Sequence, residues 1–168
     1  MIEIDNATSE LQLDQVRHLL QAFVDWHRRR HIEDRQLIDA YFEDKVFEEE
    51  LARLPDKYAP PRGRLLLAYF NGQAAGSAAL REIDGRTCEM KRMFVYPEFH
   101  GKGIGRALAE RLIQESRDIG YRTMLLDTSF RQTEAQNLYK QMGFQPIEPY
   151  YDLSDNLKDW LVFMALTL

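Results

Sequence analysis

Apolar positions recur with a helical period in the first third of the chain and with a strand period after it. Val16, Leu19, Leu20, Phe23, Val24 and His27 keep the i, i+3, i+4 spacing of one helix face. They predict a helix over 10–29, opened by a Ser9-x-x-Gln12 capping pattern. Residues 1–5 suit a short first strand. Leu37, Tyr41, Leu51 and Leu54 predict a second helix over 34–53 that stops at Pro55, and DKYAPPRG (56–63) reads as a loop. LLLAYF (65–70), the turn Asn71-Gly72 and QAAGSAALREI (73–83) then form a hairpin, and Asp84-Gly85 turns the chain into a strand over 87–96. A helix over 103–118 ends at Gly120, RTMLLDT (122–128) is a strand, and a helix over 132–142 ends at Gly143. FQPIEPYYD mixes strand and loop, and WLVFMALTL (160–168) is the last strand. Strand four, the helix after it and strand five make a βαβ unit, so those two strands run parallel. The expected fold is α/β: a mixed central sheet, antiparallel in its N-terminal half and parallel at strands four and five, with helices on both faces.

Composition narrows the class. The 168 residues suit a single domain, 1–168. A net charge of −5 argues against general nucleic-acid binding. The single cysteine, Cys88, excludes an internal disulfide framework and a Cys-only metal site. No run of about 18 apolar residues suggests a membrane span, and MIEIDNATSE lacks the basic start and apolar run of a signal peptide. A cytoplasmic protein without membrane or nucleic-acid partners is the expectation. His27 and His31 have a metal-compatible spacing, but no third ligand stands at a fitting spacing, so a solvated helix face and no metal are expected.

The stretch Gly101-Lys102-Gly103-Ile104-Gly105-Arg106 lies between a strand and a helix. Such a loop presents unpaired N–H groups at the positive end of a helix dipole, which suits phosphate. The spacing is not that of a P-loop, because Lys102 falls between two glycines and no Ser or Thr follows it. Nor is it a dinucleotide fingerprint, because Arg106 stands where the third glycine belongs.

MFVYPEFHGKGIGRALAERLI resembles the acetyl-CoA-binding motif of the GCN5-related N-acetyltransferases (GNAT superfamily). The strand end Met93-Phe94-Val95-Tyr96-Pro97 is followed by His100-Gly101-Lys102-Gly103-Ile104-Gly105 and a helix. About thirty residues on, AQNLYKQMGF (135–144) resembles the family's A-x-x-L-Y-x-x-x-G-F helix, and MKRMFV and EPYYD resemble one bacterial branch of uncharacterised members. His100 stands where Arg or Gln is usual, and Gln132 where many members carry Asn. The resemblance implies that strands four and five splay and that the pantetheine arm lies along Met93, Phe94 and Val95. It also implies that the pyrophosphate rests on the N–H groups of Gly101 to Arg106, with charge from Lys102 and Arg106, and that Ala135 leaves room for the cofactor. Acetyl-CoA, a small-molecule amine acceptor and an optional homodimer are the implied partners.

Amine acetylation needs a base for the ammonium proton, a donor for the oxyanion and an acid for the leaving thiolate. The resemblance nominates Glu89 as base, acting through water, with a structural carboxylate paired to Lys91 or Arg92 as the other reading. Strict alternation puts Glu89, Lys91, Met93 and Val95 on one face. Tyr139, four residues after Ala135 on the helix, is the nominated acid, and the N–H of Met93 or Val95 the oxyanion donor. Cys88, a lone strand cysteine, reads as inert.

For the acceptor, two features compete. EDRQLIDAYFEDKVFEEE (33–50) is strongly acidic and would draw a cationic amine, or is simply a solvated face. Lys91 and Arg92 are charges on an interior strand, suited to a substrate carboxylate. Together they suggest an amino-acid-like acceptor, with Tyr150 and Tyr151 walling the pocket. A protein or peptide acetyltransferase and a non-catalytic CoA-binding module are the alternatives.

Overall fold

A computed structural model describes Met1–Leu168. The chain runs β1 (Ile2–Asn6), α1 (Glu10–Arg30), α2 (Arg35–Tyr41), α3 (Asp44–Arg53), β2 (Arg64–Phe70), β3 (Gln73–Asp84), β4 (Thr87–Val95) and α4 (Ile104–Ile119). It continues through β5 (Thr123–Ser129), α5 (Thr133–Gln141), β6 (Gln145–Ile147), α6 (Asp155–Trp160) and β7 (Leu161–Thr167). The seven strands form one sheet in the order β1-β2-β3-β4-β5-β7-β6. Only β4 and β5 pair in parallel, as the βαβ reading requires.

Two cores sandwich the sheet. One is built on Leu19, Leu20 and Phe23 of α1, Ile38 of α2 and Phe47 and Leu51 of α3. The other is built on Leu108, Leu112 and Ile113 of α4 and Tyr139 of α5. The capping box expected at Ser9 and Gln12 is present at the start of α1.

The single helix expected over 34–53 is two helices, broken at Phe42 and Glu43, where the backbone leaves helical angles. Ile38, Phe42, Phe47 and Leu51 all bury in one core. Position 47 is five residues past 42, about 140° off the stripe of a continuous helix, so the break lets both halves bury. Helix α6 falls where a loop and the start of the last strand were expected. Its six residues are capped by the Ser154 side chain, and one and a half turns are too few to show a period.

Candidate active site

Strands β4 and β5 pair only at Thr87–Thr123, Cys88–Met124 and Glu89–Leu125. Beyond that point β4 runs on to Val95 and β5 to Ser129, and the backbone groups they turn towards each other have no ladder partner. A bulge on the other side of β4 accompanies the opening. Ala79 pairs with Lys91 and Ser77 with Phe94, so β4 carries one extra residue there. Arg92 takes the left-handed conformation, φ 58°.

The bulge corrects the alternation read from sequence. Lys91 pairs opposite Ala79 of the α1-side core, and Phe94 beyond it belongs to that core, whereas Met93 and Val95 pack with the α4-side core. Glu89 and Lys91 therefore share a face that Met93 and Val95 do not.

A groove of about 400 Å³ runs from this opening to the glycine loop. Gly103 caps α4 at φ 82° with no side-chain cap, and Gly101 sits at φ 76°. The first intrahelical bond runs from Ala107 N–H to Gly103, so the N–H groups before Ala107 have no helical acceptor. An added Cβ at Gly101 or Gly103 would meet nothing within 4 Å; glycine is needed there for its backbone angles, not for space.

Of the residues that the resemblance assigns to the cofactor, Met93, Phe94, Val95, His100, Gly101, Gly103, Ile104, Gly105, Arg106, Gln132 and Ala135 line this groove, and the exposed Lys102 does not. The His100 ring bonds the Val95 carbonyl at 2.9 Å, tying the loop to the strand. Gln132 accepts from Thr128 Oγ1 at 2.7 Å, fixing the start of α5.

The groove meets a smaller cavity of about 90 Å³, the two sharing Phe23, Met93, Gln132 and Ala135. Tyr139 lines this cavity. Its hydroxyl makes no hydrogen bond in the protein, and burial pushes its pKa up. Tyr41, Glu89, Lys91 and Arg92 also line it and continue into an open mouth of about 330 Å³ with Arg81 and Tyr151.

Glu89 is 1% exposed. Arg81 Nε donates to it at 2.7 Å, Tyr150 donates its hydroxyl, and Lys91 Nζ stands 3.8 Å away. Burial works to raise its pKa, but Lys91, Tyr150 and Arg81 outweigh it and hold the carboxyl below its usual range. The partner expected from Lys91 or Arg92 is thus chiefly Arg81, on the neighbouring strand.

Arg92 turns away to Glu50, donating through two N–H groups at 2.8 and 3.3 Å, and packs on Phe42 and Phe47. Glu50 also takes Tyr58 Oη at 2.9 Å and Lys57 at 2.9 Å. Burial opposes its ionisation, but Arg92 leads the groups that bring its pKa down to about 2. On β5, Asp127 accepts from Tyr41 Oη at 2.6 Å and from the Tyr151 hydroxyl.

The acidic segment 33–50 follows its solvated-face reading rather than the amine-drawing one, and the expectation for His27 and His31 is overturned. None of the carboxylates in 33–50 lines the small cavity or its mouth. Asp39 and Asp44 pair with Arg28, Asp34 with Arg131, and Glu50 with Arg92. The segment contributes Ala40, Tyr41 and Phe42 instead. His27 and His31 are not on a solvated face. They are 2% and 7% exposed, in an aromatic layer with Phe23 and Trp26. Burial, then His31 and Arg30, lowers the His27 pKa to about 4. Sequence reading also missed Asp127, Arg81, Tyr41 and Glu50. Asp127 alone left a signal: a charge inside the otherwise uncharged strand TMLLDTS.

A splayed parallel pair beside a glycine-capped helix fits the acyl-CoA site that the resemblance implied. The acetyltransferase (GNAT) family model matches residues 20–144. An N-acetyltransferase of Schizosaccharomyces pombe is 42% identical over 106 residues, 62% of this chain and 65% of that one. The N-acetylaspartate synthetase of Danio rerio is 32% identical over 120 residues, 70% of this chain but 42% of its own length. Among solved structures, an acetyltransferase of Streptococcus agalactiae superposes at TM-score 0.72 with 25% identity, covering 99% of this chain and 98% of that one. The PaiA N-acetyltransferase of Thermoplasma acidophilum, in complex with coenzyme A, shares the fold at TM-score 0.72 and 18% identity, over 100% and 99% of the two chains. This chain belongs to the GNAT family of N-acetyltransferases.

Proposed function

We propose that the protein transfers the acetyl group of acetyl-CoA to the primary amine of a small, amino-acid-like acceptor by direct attack in a ternary complex. The observation that carries this is the junction of the two sites: the groove and the polar cavity share Phe23, Met93, Gln132 and Ala135. Acetyl-CoA supplies an activated acyl group; the amine nitrogen bonds to its carbonyl carbon as the C–S bond breaks. The α4 N-terminus and the glycine backbone hold the pyrophosphate. Backbone N–H groups of β4 around the bulge stabilise the developing oxyanion. Tyr139 has an uncommitted phenol in the inner cavity, which it lines together with Ala135, and protonates the leaving thiolate. Glu89 is ionised but a weak base, given its donors, so it relays the acceptor's proton through water rather than keeping it. Cys88 is buried, and burial pushes its thiol up to about 11, which disfavours an acyl-cysteine route. The name of the Danio rerio relative fits an amino-acid-like acceptor.

The test is CoA release from acetyl-CoA with amino acids, simple amines and peptides as acceptors, followed by a two-substrate rate study. Intersecting lines support the ternary complex and parallel lines refute it. Peptide acceptors alone would move the reading to protein acetylation. Acetyl-CoA binding that no acceptor turns into CoA release would make the chain a binding module.

A further inference from the structure

Five charged side chains from three adjacent strands line the acceptor cavity and its mouth: Arg81, Glu89, Lys91, Arg92 and Asp127. Pairing removes three of them. Glu89 is joined to Arg81 at 2.7 Å, and Arg92 to Glu50 at 2.8 Å. Lys91 and Asp127 are left. Lys91 has only the loose 3.8 Å approach to a Glu89 that Arg81 and Tyr150 already satisfy. Asp127 has no cation within 4.0 Å; its oxygens take only the hydroxyls of Tyr41 and Tyr151. Lys91 is 18% exposed at its side chain and lines both the inner cavity and the mouth, whereas Asp127 lines the inner cavity alone.

We propose that Asp127 and Lys91 are the two poles of a zwitterion subsite, Asp127 binding the acceptor's ammonium and Lys91 its carboxylate. This rests on the acetyltransferase reading of the same cavity and narrows its acceptor to amino carboxylates, against diamines and polyamines. The order of the poles follows from the lining: Asp127 sits in the inner cavity with Met93, Ala135 and Tyr139, where the acyl group arrives, and Lys91 extends outward to the mouth. Two phenols donating to Asp127 orient its carboxylate while leaving it a full negative charge for the ammonium. Arg92 is not the carboxylate holder, because its guanidinium is spent on Glu50 and on the Phe42 and Phe47 rings. A second cation near Lys91 also makes an acceptor with two positive charges a poor fit.

The experiment reads binding and turnover separately. Calorimetry with CoA present measures binding of leucine, of isopentylamine, which lacks the carboxylate, and of 4-methylpentanoate, which lacks the amine; the same design is repeated with valine, isobutylamine and 3-methylbutanoate. CoA release from acetyl-CoA then gives kcat/KM for the amines. Amino acids are expected to exceed their decarboxylated partners by at least about tenfold, the worth of one charge-assisted hydrogen bond. Lys91→Met should abolish that ratio and Lys91→Arg keep most of it. Asp127→Asn should weaken ammonium-bearing ligands while leaving 4-methylpentanoate bound. Equal binding of amino acid and amine in the unaltered protein overturns the subsite, as does a ratio that survives Lys91→Met. Carboxylate-dependent binding without any turnover would instead overturn the proposed function and leave the subsite standing.

Discussion

The groove proposed for the cofactor and the cavity proposed for the acceptor adjoin at Met93, yet they are made of different material. The groove's anion cradle is backbone: consecutive N–H groups, two glycines at positive φ, and a helix dipole, all supplied by residues 101–106. The cavity is side chain: Tyr41 from α2, Arg81 from β3, Glu89, Lys91 and Arg92 from β4, Asp127 from β5 and Tyr139 from α5. A backbone site tolerates changes of side chain, which is why His100 can stand in an unusual place and bind the Val95 carbonyl instead. A side-chain site of buried charges tolerates fewer, because Glu89 relies on Arg81 of β3 and Arg92 on Glu50 of α3. Specificity should therefore lie in the cavity and generic cofactor affinity in the groove.

The largest expected effect tests the cavity's reliance on pairing. Glu50→Gln leaves Arg92 buried without its counter-charge and should cost about 3–5 kcal/mol in urea unfolding. A loss under about 1 kcal/mol would mean that water reaches Arg92.

Acid should find the aromatic wall next. His27 is neutral when folded, with a pKa of about 4, and the unfolded chain takes up its proton near 6.5. Its contribution is complete above 6.5 and is lost as pH falls towards 4, on the order of 3 kcal/mol over the range. Denaturation between pH 6.5 and 5, above the carboxylate range, should show the slope, and His27→Gln should reduce it to the part owed to His31, whose pKa burial also lowers.

Chemistry in the inner cavity comes third. Tyr139→Phe should lower kcat about a hundredfold with little change in acetyl-CoA affinity, read by steady-state rates beside a binding titration. A change in affinity alone would make the phenol a groove residue rather than an acid.

The smallest effect belongs to the backbone site. Gly103→Ala meets no clash but must hold φ 82°, a cost of about 1–2 kcal/mol. It should weaken acetyl-CoA binding about tenfold while leaving the amino acid to amine ratio unchanged. A changed ratio would break the division between the two sites.

Local signals carried the strand period of β2 to β4, the capping box of α1, the turn pairs and the glycine loop. They sufficed for the βαβ unit and the family, because each depends on neighbours in sequence. What the chain did not show on its face depended on partners far along it. Glu89 finds Arg81 across a strand pair, Arg92 reaches 42 residues back to Glu50, and Tyr41 reaches 86 residues on to Asp127. The bulge at Arg92 slipped the alternation by one residue and moved Met93 and Val95 to the other face. Helix and turn propensities, set by short-range sterics and hydrogen bonds, made the frame and the cofactor loop legible in the sequence. The pairing of buried charges was decided only when the strands and helices packed, because an ion pair has no sequence period and forms wherever the fold brings opposite charges out of water together.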